Sequence, residues 1–157
     1  MADRLSAMDA SFLYTEGATT PMHVGSVVLF SESPGAMDHE RLVRLIRDRI
    51  AFLPRYRQRI REVPGNLGAP VWVDDSTFDV SFHVRRSALP APGTIDQLYE
   101  LVARIFSRPL DRRRPLWEVY LVEGIEGRRF ALLTKTHQAM VNGLTAVDIA
   151  EVILDES

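Results

Sequence analysis

The stretch from Leu116 to His137 constrains the fold of this chain more than any other. Pro115 opens an apolar run over Leu116–Val122, Glu123–Gly127 supplies two glycines, and Arg129–His137 returns as a second strand-length run. Two such runs around a short glycine-bearing loop predict an antiparallel hairpin. A hairpin alone is marginal in water and needs further strands or a helical layer against it. The chain supplies both. Val24–Phe30 is β-branched and apolar and predicts a buried strand. Val71–Val73 predicts a short strand, and Phe78, Val80, Phe82 and Val84 alternate with polar residues as in a half-buried strand.

Helices fall between these runs. Asp38 is placed to cap a helix reaching about Leu53, with Leu42, Leu45, Ile46, Ile50 and Leu53 on one face and Pro54 as its stop. Thr94 and Gln97 form a capping-box pattern ahead of Leu98, Leu101, Val102 and Ile105. Gly143 and Thr145 introduce a last helix, and Met1–Met22 predicts an N-terminal arm with a short helical or irregular piece. Arg55, Arg57, Arg59 and Arg61 alternate with Tyr56, Gln58 and Ile60, which predicts a strand with one strongly basic face. Helices mixed with a hairpin point to an α+β fold, or an α/β sandwich, with a mixed sheet.

Composition narrows the function classes. The 157 residues suit one domain with its own core. No apolar run approaches the ~20 residues that span a bilayer. No charged segment leads into an apolar stretch at the N-terminus, so no secretory leader is expected. The absence of cysteine excludes disulfides, a thiolate zinc site and a cysteine nucleophile, and a cytoplasmic location is the expectation. Net charge is −2, so nothing in the total suggests nucleic acid. Eight of the arginines fall between Arg41 and Arg61, but Asp48 and Glu62 lie among them, and Tyr56, with Phe52 before it, does not make an interleaved stacking surface. Solvated helix and strand faces account for that run, with an anionic surface or ligand as the alternative. His23, His39 and His83 have no spacing that suggests a metal. Trp117 is expected to be a core anchor, and His83 a satisfied structural histidine.

One segment carries chemistry. Lys135-Thr136-His137-Gln138-Ala139-Met140-Val141-Asn142-Gly143 stands where a strand ends and a helix follows. It resembles the His-His-x-x-x-Asp-Gly motif of the coenzyme A-dependent acyltransferase superfamily, which includes chloramphenicol acetyltransferase. Five further blocks narrow the resemblance. They are Ser6-Ala7-Met8-Asp9; Pro21-Met22-His23-Val24-Gly25; Pro54-Arg55-Tyr56-Arg57-Gln58-Arg59; Phe78-Asp79-Val80; and Pro109-Leu110-Asp111 with Pro115-Leu116-Trp117-Glu118. Together they look like the bacterial wax ester synthase/diacylglycerol acyltransferases, with the likeness running from Ser6 to Ser157.

The resemblance implies one half of a chloramphenicol-acetyltransferase-like fold, residues 1–157 forming an N-terminal acyltransferase domain. The family's C-terminal half would then be absent, leaving an apolar face for that half or for self-association. It implies acyl transfer from a coenzyme A thioester to diacylglycerol or a long-chain alcohol, in the synthesis of triacylglycerol or wax ester. Acyl-CoA would be a co-substrate, with no bound cofactor and no metal. Contact with a membrane surface or lipid droplet is implied as well. His137, Gln138, Asn142 and Gly143 mark the active-site motif.

The motif departs from the family at two positions. The family's base is the second His, and here that position is Gln138. Imidazole suits a base because its pKa near ~6.5 lets it take and return a proton at neutral pH. An amide can hydrogen-bond a hydroxyl but cannot take its proton. Losing a base typically costs ~10²- to 10⁴-fold in rate. The motif Asp, thought to hold the loop through charge pairing, is Asn142. His137 takes over the base's role only if a bulge or register change brings it to the face of residue 138, because neighbours on a strand point oppositely. Two alternatives stay open: an inactive relative that binds lipid or coenzyme A, and an acyltransferase acting on a carrier-bound acceptor.

Overall fold

The computed structural model describes residues 3–17, 21–32, 37–66 and 68–141. The elements run β1 (Asp3–Arg4), α1 (Ala7–Thr15), β2 (His23–Ser31), α2 (His39–Ile50), β3 (Gln58–Arg61), β4 (Val71–Asp74), α3 (Val80–His83), β5 (Val84–Ala88), α4 (Ile95–Ser107), β6 (Trp117–Ile125), β7 (Arg129–His137) and α5 (Gln138–Val141). The strands form two sheets, where one was expected. A four-stranded sheet has the order β2-β7-β6-β5, and a three-stranded sheet the order β1-β4-β3. Pairing is antiparallel except between β5 and β6. The fold is α+β, with a mixed, largely antiparallel main sheet flanked by helices.

Alternation along β7 divides the interior into two cores. Phe130 and Leu132 join a large core with Leu42 and Ile46 of α2, Tyr56, Trp72 and Trp117. Ala131 and Leu133 join a smaller core with Leu98 and Ile105 of α4 and Val122 of β6. Trp117 is fully buried, and its indole N–H donates to the Tyr56 carbonyl at 2.8 Å. His83 is also buried. One ring nitrogen meets the Trp117 carbonyl at 2.7 Å, and its ring stacks on Phe78 and Trp117. Both residues have the structural roles expected of them.

The caps at Asp38 and Thr94 form as their sequences indicate. Asp38 accepts from the Arg41 amide, and Thr94 and Gln97 close a reciprocal capping box. Other expectations need correction. Arg55 and Arg57 belong to a 3₁₀ turn over Pro54–Arg57, not to a strand, because Pro54 fixes φ for a turn start. The side chain of Tyr56 is thereby buried, and Arg55 lies over the Trp72 ring at 4.5 Å. The basic strand face is thus reduced to the short β3. The run from Phe78 to Val84 is interrupted by one helical turn, which Asp79 caps by accepting from the Ser81 amide. The hairpin loop is shorter than expected. β6 continues to Ile125 through a bulge between Val122 and Ile125, with Gly124 at φ 79°. Finally, β2 is an edge strand rather than a buried one, with Val27 and Leu29 38% and 42% exposed. α4 meets β2 at Gly25, where a Cβ would lie 2.5 Å from the Phe106 ring and 2.6 Å from the Thr134 carbonyl oxygen.

Candidate active site

β7 changes character halfway along. After Leu133 come Thr134, Lys135, Thr136 and His137, four polar side chains that are each at most 1% exposed. Buried polar groups are costly unless bonded, so this strand end is specified by its partners. Thr134 Oγ1 lies 2.5 Å from Ser26 Oγ on β2. The Lys135 ammonium donates to the Ile105 carbonyl at 2.8 Å and to the Arg108 carbonyl, both at the C-terminus of α4. Cations are favoured there because the last carbonyls of a helix are unpaired. Glu118, opposite Lys135 on β6, is 3.9 Å away. Burial pushes the Lys135 pKa down, against the attraction of Glu118. Thr136 Oγ1 is buried and has no hydrogen-bond partner among the described residues.

His137 is fully buried and engaged on both ring nitrogens. The Ala139 amide donates to Nδ1 at 3.1 Å. Nδ1 therefore carries the lone pair, and in the neutral ring the proton is on Nε2. Nε2 lies 3.2 Å from Glu16 Oε2. That oxygen stands off the best line for a hydrogen bond, so the contact is chiefly electrostatic. Burial holds the His137 pKa below the ordinary imidazole value, with Glu16 pulling the other way. His137 has no free lone pair to receive a substrate proton. The backbone turns into α5 directly after it, and the Gln138 amide donates to the Met22 carbonyl at 2.9 Å. The Gln138 side chain is half-buried and makes no hydrogen bond among the described residues. Asn142 and Gly143, and the helix expected after them, lie outside the described residues.

The structure adds residues that sequence reasoning missed. Glu16 follows α1 and is 5% exposed. Its Oε2 accepts from the Met22 amide at 3.0 Å and its Oε1 from Arg112 Nε at 3.1 Å. Arg112 also donates to the Leu13 carbonyl. Asp111 pairs with its neighbours Arg113 and Arg114, while Arg112 turns to Glu16. Burial raises the Glu16 pKa, but the Met22 amide, His137 and Arg112 together bring it below the usual carboxylate value. His23 faces His137 in the β2–β7 register, and its Nε2 lies 2.7 Å from the Phe106 carbonyl. A carbonyl only accepts, so this nitrogen bears the proton. No local spacing marks Glu16 or Arg112 as partners. The signal available in the sequence is the run of polar residues in an otherwise apolar strand.

The comparisons with known proteins decide the family. A family profile described as the wax ester synthase/diacylglycerol acyltransferase catalytic domain matches residues 5–157. The chain belongs to this family. It is 51% identical, over its whole length, to the probable diacylglycerol O-acyltransferase tgs3 of Mycobacterium tuberculosis, and spans 58% of that protein. It is 41% identical to the probable diacylglycerol O-acyltransferase tgs1 of the same species, spanning 34% of it. The wax ester synthase/diacylglycerol acyltransferase from Marinobacter aquaeolei VT8 superposes with a TM-score of 0.74 at 39% identity, over 94% of this chain and 37% of that one. The starter condensation domain of rhizomide synthetase RzmA superposes over 98% of the chain with a TM-score of 0.73 at 13% identity, which is a likeness of fold. The chain therefore spans between about a third and three fifths of the relatives it matches. Among the described residues no helix is long and apolar enough to cross a membrane, and no group of three His, Cys, Asp or Glu side chains is placed to hold a metal.

Proposed function

We propose that residues 1–157 are the N-terminal domain of an acyl-CoA-dependent O-acyltransferase acting on diacylglycerol or a long-chain alcohol. Acyl-CoA is a co-substrate rather than a bound cofactor. Family membership supports the reaction class, and the buried polar end of β7 supports the location. In this reading His137 and Gly143 shape the motif turn, Gln138 receives the acceptor hydroxyl, and Asn142 stands where a charge would brace the loop. The alcohol oxygen attacks the thioester carbonyl, the oxygen gains the acyl group, and its proton leaves with the coenzyme A thiolate. Gln138 accepts a hydrogen bond from the hydroxyl but does not remove its proton. His137 cannot replace the base, since both its nitrogens are engaged. Turnover is then ~10²- to 10⁴-fold below that of the same site with a base.

The engagement of His137 carries this reading, and it also supports a second one, a relative that binds acyl-CoA or lipid without turning it over. The remaining part of the substrate tunnel would come from the segment the relatives have beyond this length, and contact with a membrane or lipid-droplet surface would bring the apolar acceptor. The test is release of free coenzyme A from a long-chain acyl-CoA and diacylglycerol, by this chain complemented with the C-terminal part of tgs3. The double change Gln138→His and Asn142→Asp should raise release by at least 100-fold. Equal release without the changes would show that residue 138 does not occupy the base's position. No release from either would favour the binding reading.

A further inference from the structure

Four segments meet at one carboxylate. Glu16 takes the Met22 amide at the start of β2, Arg112 from the connection between α4 and β6, and His137 at the end of β7, while it is itself attached to the end of α1. Arg112 returns to α1 through the Leu13 carbonyl. Both of its oxygens are used: Oε1 accepts from Arg112 Nε, and Oε2 accepts from the Met22 amide and lies 3.2 Å from His137 Nε2. A side chain only 5% exposed would not be kept charged for a surface role, because a buried carboxylate without partners is strongly unfavourable.

The consequence lies in the imidazole. With Glu16 ionised beside Nε2, the proton of the neutral ring is held on that nitrogen. Nδ1 is then free to accept from Ala139, the second residue of α5. Were the proton on Nδ1, it would point at the Ala139 N–H, and two donors would face each other. The tautomer and the turn are therefore one choice. The turn in question contains residue 138, whose own amide is tied to Met22, next to the amide that Glu16 accepts.

We propose that Glu16 is the positioning residue of the motif turn: paired with Arg112, it fixes His137 as the Nε2–H tautomer, so that Nδ1 anchors Ala139 and residue 138 is set in place. This rests on reading the turn after His137 as the reaction site, but its test needs no acyl-CoA. A failure of coenzyme A release would count against the functional reading and leave this one standing. The groups facing His137 are Glu16 and Arg112, with His23 across the β2–β7 pair.

Nitrogen-15 NMR of the full chain reads the tautomer directly. The unmodified chain should show Nε2 protonated and Nδ1 as an acceptor. Glu16→Gln should lower the His137 titration midpoint by about one pH unit or more, the size of shift a close opposite charge produces. It should also speed hydrogen exchange of the Ala139 amide by about tenfold while leaving Leu121 and Leu132, in the centres of β6 and β7, unchanged. Glu16→Asp should recover part of both effects. A purely structural role would speed exchange at all these amides together and would overturn the proposal. So would an Nδ1–H tautomer in the unmodified chain, or a titration that Glu16→Gln leaves in place. If Glu16→Gln does not fold, the tautomer of the unmodified chain and the titration of Glu16→Asp decide the matter.

Discussion

Lys135 is the only lysine in the chain, and its side chain is 1% exposed. Replacing it with Met keeps most of the aliphatic stem and removes the ammonium. Two carbonyls at the end of α4, Ile105 and Arg108, then lose their charged donor. Hydrogen bonds to a charged group contribute about 1.5–3 kcal/mol each. Two of them give a loss of at least about 3 kcal/mol, even after the better burial of a Met tip. Glu118 contributes much less, at 3.9 Å and 13% exposed. Its change to Gln should cost less than about 1 kcal/mol, as for partly solvated pairs. For a chain of this size each kcal/mol shifts the melting temperature by about 2–4 °C. Differential scanning calorimetry should therefore show Lys135→Met melting about 6–12 °C below the unmodified chain, and Glu118→Gln within about 4 °C of it. The reverse ranking would refute the argument, since it would make the cross-strand charge pair, not the helix end, the reason for burying a lysine.

Two further outcomes follow from the same interior. The His23, His83 and His137 pKa values are each held below the ordinary imidazole value, with burial as the largest cause. The unfolded chain therefore binds protons at these positions first, and stability falls as pH drops below about 6.5 toward the lowered folded values. Thermal melts from pH 7.5 to 5.5 should show a steady decline in melting temperature, smaller in His83→Gln, and a flat profile would contradict the burial account. Gly25→Val should disrupt the seat of α4 on β2, because its first side-chain atom meets both Phe106 and the Thr134 carbonyl. Adding Phe106→Ala to Gly25→Val should give back only part of the lost urea midpoint, since backbone as well as ring stands in the way, and complete recovery would show that the ring alone sets the spacing.

Local rules made much of this fold legible. The caps at Asp38 and Thr94 depend on residues three apart, Trp117 was readable from strand position and residue type, and His83 from residue type alone, since it lies in the helical turn α3. The failures share a cause. Pro54 and Asp79 each start a helical turn inside a period-2 pattern, so alternation alone predicted strands there. Val24–Phe30 has the composition of a buried strand, but its place at the sheet edge depends on pairing with β7, more than a hundred residues later. At the candidate site the motif was visible and its bracing was not. Glu16 reaches Arg112 across 96 positions, and no spacing rule links them. For His137 the sequence offered only pleat alternation, which set it apart from Gln138; its neighbours, the Ala139 amide on Nδ1 and Glu16 3.2 Å from Nε2, became visible only in the structure.

The central claim is that residue 138 receives the acceptor hydroxyl and that this chain has no base there. A pH profile of coenzyme A release tests it most directly, comparing the chain complemented with the C-terminal part of tgs3 against the same complex carrying Gln138→His and Asn142→Asp. The account predicts that the doubly changed form gains a limb rising with pH through the imidazole range, between about pH 6 and 7, as a general base requires. The unmodified form should lack that limb and stay at least 100-fold slower. The same limb and the same rate in both forms would contradict the account and would require a base elsewhere in the site.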